Sequence, residues 1–425
     1  MKHYTNKIRL KYLFTERIGG AWGEEPEEGN SIVCIRAADF LTDELKHKKE
    51  DLTKRSFKNE EIEKKELHEG DIIIEKSGGG ENQPVGRVAL FELNEPALCS
   101  NFLELLRPNS NRVDSRFAAY ILYSLWDNRV TTKAIKQTTG IQNLDIAEYL
   151  DTKVNLPPIK RQIEILDYLE SEITQVDKLI SAKKRLLDSL SEKRQALITQ
   201  AVTKGLNPKV KMKECGIDWL GEIPSNWSVI PLKFLAKEKL MYGANEAALD
   251  DNREYPRFIR ITDIEDGILK KESFKSLEPK LAEPYLLKDK DILLARSGAT
   301  VGKAFMYQEH WGTACFAGYL IKLKCDPGKL LPEYFIHVTQ SNYYWSQINT
   351  ESIQATIQNF SGEKYASMKV LVPSISEQKE IVSFLDQEIE KIDHLINTTK
   401  RTIVLLTERK SALITESITG QLKID

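Results

Sequence analysis

Residues able to do chemistry are few and poorly grouped in this chain. Ser297-Gly-Ala-Thr-Val-Gly-Lys303 has the outline of a phosphate loop, but GxxxGK is one residue short of GxxxxGK[ST]. Ala304 also stands where the magnesium-binding hydroxyl belongs. The matching stretch from Ser77 to Arg87 has no lysine in that place, so both segments read as glycine-rich hairpin turns in which Gly supplies positive φ. There is no Asn/Asp-Pro-Pro-aromatic motif to hold an adenine for methylation, and no GxGxxG loop. Glu63-Lys-Lys65 fits the ExK half of a nuclease motif, yet it reads as a solvated helix face. His3, His47, His68, His310, His337 and His394 show no ligand or triad spacing, and His337 reads as a packed helix residue. Cys34, Cys99, Cys215, Cys315 and Cys325 form no CxxC pair and read as incidental thiols of a reducing compartment. The expectation is a chain with no catalytic residue and no metal site.

Polar and basic residues do recur at equivalent, turn-rich points. Lys76-Ser77 and Arg296-Ser297 enter the glycine turns, and Arg87 and Lys303 leave them. Gln142-Asn143 and Gln358-Asn359 sit in loops ahead of two long helical patterns, and Arg36 and Arg260 open matched Arg-x-x-Asp segments. Arg and Lys suit guanine edges and phosphates, while Gln and Asn suit adenine edges. Ser-Gly and Gln-Asn are also ordinary turn residues. These positions are candidate DNA contacts with that second reading open.

The elements that position them are written twice. Leu156-Pro-Pro-Ile-Lys-Arg-Gln162 matches Val372-Pro-Ser-Ile-Ser-Glu-Gln378, and Ala-Leu-Ile-Thr recurs at 196–199 and 412–415, all at offset 216. Asp71-Ile-Ile-Ile-Glu-Lys-Ser-Gly78 matches Asp291-Ile-Leu-Leu-Ala-Arg-Ser-Gly298 at offset 220, so the first glycine loop is four residues longer (220 − 216). Each copy has a head of short apolar runs punctuated by Gly, Asn and Pro, then one long helix begun after proline. The helices carry a heptad seam: Leu166, Leu169, Ile173, Val176, Ile180, Leu187, Leu190 and Leu197 in the first. Val382, Leu385, Ile389, Ile392, Ile396, Ile403, Leu406 and Leu413 form it in the second. Lys183/Thr399 and Arg194/Lys410 interrupt the seam at matched places.

This predicts an α+β fold: two mixed α/β heads separated by two long helices pairing as an antiparallel coiled coil, with an internal pseudo-two-fold repeat. The divisions are 1–155 (first head), 156–204 (first helix), 205–371 (linker and second head) and 372–425 (second helix and tail). Forty helical residues span about 60 Å. The 425 residues are two or three domains' worth, and 41 % apolar with 29 % charged is ordinary for a globular protein. No apolar run suits a membrane span or a signal peptide, so the expected location is cytoplasmic. Net charge is −2, so any nucleic acid must be held by local patches or basic partners.

With its tandem heads and two Pro-x-Ile-x-x-Gln-led helices, the chain resembles the specificity subunits of type I restriction–modification systems. The Gly216-Ile-Asp-Trp-Leu-Gly-Glu-Ile-Pro-x-x-Trp junction and the Arg296-Ser-Gly-x-x-x-Gly-Lys303 turn carry the resemblance further. The resemblance implies a non-catalytic chain on double-stranded DNA, each head a target-recognition domain reading half of a bipartite, asymmetric target. The implied partners are two methylation subunits bringing S-adenosylmethionine, and restriction/translocase subunits bringing ATP and Mg; this chain would hold no cofactor. The competing expectation is a coiled-coil scaffold that presents two protein-binding heads without touching DNA.

Overall fold

A computed structural model of the chain describes residues 7–26, 31–41, 44–137, 140–217, 219–247, 251–265, 267–270, 272–352 and 359–422. The long helices run Ile159–Lys204 and Ile375–Thr419. Each starts directly after its proline segment, and each ends on a glycine in the left-handed region, Gly205 and Gly420, which closes a helix without a Cβ clash. Two compact units cut across both helices instead of following chain order. One holds the residues up to Lys184 with those from Arg401 onward, and the other holds Arg185–Lys400.

The first unit contains a four-stranded antiparallel sheet in the order Phe14–Gly19, Leu103–Pro108, Ile72–Glu75, Val88–Leu90. The uninterrupted run Ile72-Ile73-Ile74 is apolar because both faces of its strand are covered. Ile72 and Ile74 pack with the helix Ser115–Asp127, while Ile73 faces a second cluster with Val33, Ile35 and Leu105. The second unit repeats the sheet as Met241–Tyr242, Leu320–Leu323, Ile292–Ala295, Ala304–Met306, with Leu294 and Leu293 on opposite faces. A parallel pair also recurs, Ser31–Ile35 with Ala97–Cys99 and Arg257–Ile259 with Ala314–Phe316. The hairpin Met212–Glu214/Glu222–Pro224 belongs to the second unit, where Trp227 is fully buried and donates its indole N–H to Glu377.

The Pro-x-Ile-x-x-Gln signature has a common physical basis in both units. Gln162 is fully buried; its Oε1 accepts from the Asp114 amide at 2.9 Å, and its Nε2 donates to the carbonyls of Arg112 at 3.0 Å and Pro157 at 2.8 Å. Gln378 does the same with the Leu331 amide at 2.8 Å and the carbonyls of Lys329 at 2.9 Å and Pro373 at 3.1 Å. A buried amide that satisfies three backbone groups ties each helix start to its head, and no apolar residue can replace it without orphaning them.

Both units also contain a stretch of each helix, packed antiparallel. In the first, Leu166 and Leu169 share a core with Ile414 and Ile418. In the second, Ile198, Ala201 and Val202 share a core with Ile381, Leu385 and Ile389. Along the seam Leu166, Leu169, Val176, Leu190, Leu385, Ile389 and Ile392 are buried. Ile173, Ile180, Leu187, Val382, Ile396, Ile403 and Leu406 are half-buried. In the closing turns Ile198 and Ile414 go deeper than Leu197 and Leu413, because there the helix faces a head as well as its neighbour.

The Arg194/Lys410 interruption is made of ion pairs, whereas Thr399 of the other is a buried, uncharged side chain. Lys410 donates to both Asp177 oxygens at 2.8 and 3.0 Å in the first unit, and Arg194 donates to Asp393 at 3.1 Å in the second. Both partners are related by the repeat (410 − 194 = 216; 393 − 177 = 216). Such pairs fix register, since a slipped seam would leave a half-buried charge without its partner.

If Ile414 belongs to the first head's core, Ile414→Ala should cost about 2–5 kcal/mol there. Hydrogen exchange should then lose protection in the strands around Ile72–Glu75, while Ile292–Ala295 stays protected. Loss confined to the second head would contradict this assignment.

Candidate nucleic-acid interface

The glycine turns link antiparallel strands: Ile72–Glu75 to Val88–Leu90, and Ile292–Ala295 to Ala304–Met306. Gly86 and Gly302 occupy the Val-Gly-Arg/Lys position in the left-handed region. A Cβ on Gly302 would lie 2.8 Å from the Trp345 ring, and one on Gly86 2.9 Å from Thr131, so glycine is required twice over.

These turns meet the loop that precedes each long helix. In the first unit Ser77–Gly78 pairs with Gln142–Leu144, which also pairs with Ile135–Gln137. Ser77 lies opposite Asn143 and donates its hydroxyl to Asn143 Oδ1 at 2.7 Å, while the Leu144 amide donates to the Lys76 carbonyl at 2.8 Å. In the second unit Ser297 bridges Asn359 and the Phe360 amide donates to the Arg296 carbonyl at 2.8 Å. Two motifs far apart in sequence thus form one polar junction, built the same way in each unit. Gln358 lies outside the described residues.

Candidate contacts divide by whether a carboxylate already holds them. Arg36 donates Nε and Nη2 to Asp39 at 3.2 and 3.1 Å, and Arg260 donates the same atoms to Asp263 at 3.0 and 2.7 Å. Asp39 and Asp263 are buried and also accept from the backbone amides of Arg36 and Arg260. The hydrogen bond to the carboxylate raises the pKa of both guanidiniums. Arg87 donates to both oxygens of buried Glu75 and to the Ala37 carbonyl. In the second unit Ala295 stands in place of Glu75, and its counterpart of Arg87, Lys303, is exposed. Gln142 is buried, its Oε1 accepting from the Val85 amide at 3.1 Å.

By contrast, Lys76, Arg296 and Lys303 make no ion pair among the described residues. Lys76 is half-exposed, and its charge lies near buried Glu104, whose pKa burial raises against the opposing pull of Arg17 and Lys76. Arg296 stacks over the Tyr242 ring at 4.9 Å, an arrangement that holds the guanidinium plane without neutralising it. The Tyr242 hydroxyl accepts from the Gly362 amide at 2.7 Å. Asn143 and Asn359 are exposed; Ser77 and Ser297 are half-exposed. Cations, hydroxyls and amides at an exposed strand junction are a set suited to phosphate and base edges.

Other titratable groups are structural. Burial pushes Cys34 up to about 11 and Cys99, Cys315 and Cys325 to about 12, leaving inert thiols. His337 is buried in the helix Pro332–Thr339 and contacts Asp386 at 2.9 Å; burial lowers its pKa. Among the described residues no cluster of His, Cys, Asp and Glu could hold a metal ion, and no helix is long and apolar enough to cross a membrane.

The partners Asp39, Asp263 and Glu75 were not among the sequence candidates. The repeated Arg-x-x-Asp spacing was a local signal for the first two, but the Glu75–Arg87 contact depends on strand pairing across the glycine turn. Arg36→Ala or Arg260→Ala should therefore lower stability by about 2–4 kcal/mol in chemical denaturation, by leaving a buried carboxylate unpaired. Lys76→Ala and Arg296→Ala should change it by under about 1 kcal/mol.

Comparison with known proteins agrees with this architecture. The sequence model of the type I restriction modification DNA specificity domain matches the chain twice, over residues 24–191 and 224–404. The putative type I restriction enzyme MjaX specificity subunit of Methanocaldococcus jannaschii is 22 % identical over 386 residues, covering 88 % of this chain and 84 % of that one. The type I restriction enzyme StySPI specificity subunit of Salmonella potsdam is 22 % identical over 374 residues, covering 86 % and 77 %. A chain from a structure concerning assembly and conformational transition of the type I R-M system shares the fold, with a TM-score of 0.74 at 14 % identity and 98 % of both chains covered. The HsdS subunit from Thermoanaerobacter tengcongensis gives a TM-score of 0.54 at 14 % identity, over 98 % of this chain and 97 % of that one.

Proposed function

Because the chain belongs to the type I restriction–modification DNA specificity family, we propose that it is the non-catalytic sequence-reading subunit of such a system. Each head reads one half of a bipartite, asymmetric target in double-stranded DNA, and the long helices set the unread length between. The observation that carries this reading is the repeated junction, Ser77 with Asn143 and Ser297 with Asn359, flanked by uncommitted Lys76, Arg296 and Lys303. Two equivalent junctions with different neighbours read two different half-sites, which is why the target is asymmetric. Family membership favours this over a scaffold that never touches DNA.

The net charge of −2 is too weak a field to retain DNA by itself, since affinity for a duplex comes largely from phosphate neutralisation. Partners therefore supply most of it. Two methylation subunits would bind the repeated helix surfaces and bring S-adenosylmethionine, and restriction/translocase subunits would bring ATP and Mg. The assembly works in the cytoplasm.

Co-expression with a methylation subunit of the same system, followed by genome-wide mapping of methylated adenines, tests the reading. A single gapped, asymmetric motif present only with this chain is expected. A stable complex that yields no motif would remove the DNA-reading role.

The spacer claim has its own test. Each unit grips both helices, so a lengthened ruler needs matched insertions, four residues after Lys184 and four after Lys400, about 6 Å each. The unread spacer should grow by one or two base pairs with both half-sites unchanged. A changed half-site with an unchanged spacer would sink the ruler idea.

A further inference from the structure

The four residues by which the first glycine loop exceeds the second are held in a particular way. Gly80 N–H donates to the Gln83 carbonyl at 2.9 Å, closing a turn. Arg129 donates Nη1 to the Glu81 carbonyl at 3.4 Å and Nη2 to the Asn82 carbonyl at 3.1 Å. Trp126 Nε1 donates to the Pro84 carbonyl at 2.8 Å. Three of the four carbonyls from 81 to 84 are thus drawn onto Arg129 and Trp126, two of them by one guanidinium, and the fourth, that of Gln83, closes the loop's own turn. Arg129 itself sits at φ 60°, a left-handed conformation uncommon outside glycine, just past the helix Ser115–Asp127. The far end is fixed too, since the Val85 amide donates to Gln142 of the polar junction.

With the backbone turned inward, the side chains of Glu81, Asn82 and Gln83 are what the loop shows to solvent. All three are exposed, and none makes a side-chain hydrogen bond to another described residue. An exposed loop with no task has no need for a double guanidinium clamp and an indole clamp, because ordering it costs conformational entropy. In the second unit the corresponding stretch is a single tight turn, Gly298–Thr300.

We propose that Glu81-Asn82-Gln83 is a base-reading tip specific to the first head, and that Arg129 is its positioning residue. The inference rests on the DNA-reading function proposed above. Asn and Gln amides match adenine N6 and N7, and a Glu carboxylate accepts from cytosine N4. A tip whose backbone is already ordered presents these groups without an ordering cost on binding. One half-site is therefore read through side chains that have no equivalent in the other head.

The test uses the full chain in complex with its methylation subunits and duplexes carrying every single base-pair change across the motif found for the unaltered complex. In the unaltered complex a change at a contacted base pair weakens binding about ten-fold or more. In Asn82→Ala/Gln83→Ala that penalty should fall to within about two-fold at one or two adjacent positions of one half-site, with the other half-site and the melting temperature unchanged. Glu81→Gln provides an independent check at a neighbouring position of the same half-site. Arg129→Ala should keep the same preferred bases, with weaker discrimination at those positions only. Full discrimination at every position in both Asn82→Ala/Gln83→Ala and Glu81→Gln, or equal loss in both half-sites, overturns the proposal while leaving the DNA-reading function standing. Absence of any sequence preference in the unaltered complex overturns both.

Discussion

The first head cannot complete its core with the helix that follows it in sequence. Ile414 and Ile418, from the end of the second long helix, lie in the same cluster as Phe117, Leu166 and Leu169. The second head likewise depends on Ile198 and Val202 from the end of the first helix. The helix start is tied by a buried glutamine to its own head, and the helix end is buried in the other unit's core. Each long helix is therefore committed at both ends, and its middle is the part left for the seam and its ion pairs. This division explains why the helices are of nearly equal length, since a change in one alone would pull an apolar end out of a core or break the Lys410–Asp177 or Arg194–Asp393 contact.

A second constraint follows from charge. Several arginines that a sequence reading offers to DNA are spent inside the protein: Arg36 and Arg260 on buried aspartates, Arg87 on buried Glu75. Such pairs are structural, and a net charge of −2 leaves the chain without an overall positive field. Of the candidate contacts, the cations without an ion pair among the described residues, Lys76, Arg296 and Lys303, sit at the strand junctions. A chain of this kind places a few polar groups accurately and leaves bulk attraction to other subunits, a division of labour consistent with phosphate contacts positioning a protein and base contacts specifying its site.

Much of the plan was legible because duplication writes the same physical solution twice. Periodicity exposed the helices, proline marked where they begin, and short apolar runs such as Ile72–Ile74 between Gly, Asn and Pro marked the mixed heads. The candidate site was legible only in part. The repeat picked out Ser77, Asn143, Ser297 and Asn359, but nothing local says that a turn and a loop some sixty residues apart share a strand pairing. The roles of Asp39, Asp263, Glu75, Arg129 and Trp126 depend on contacts across the sheet, where spacing in sequence carries no information about distance.

By itself, the sequence determined the repeat, the α+β alternation, the two amphipathic helices and the absence of familiar catalytic motifs, since each of these is a statement about neighbouring residues or about two copies compared. Tertiary structure alone decided which helix end enters which core, which arginines are neutralised, and which way the 81–84 backbone turns. Those outcomes are competitions between distant groups for burial and for hydrogen-bond partners, and they are settled only when the chain has closed on itself.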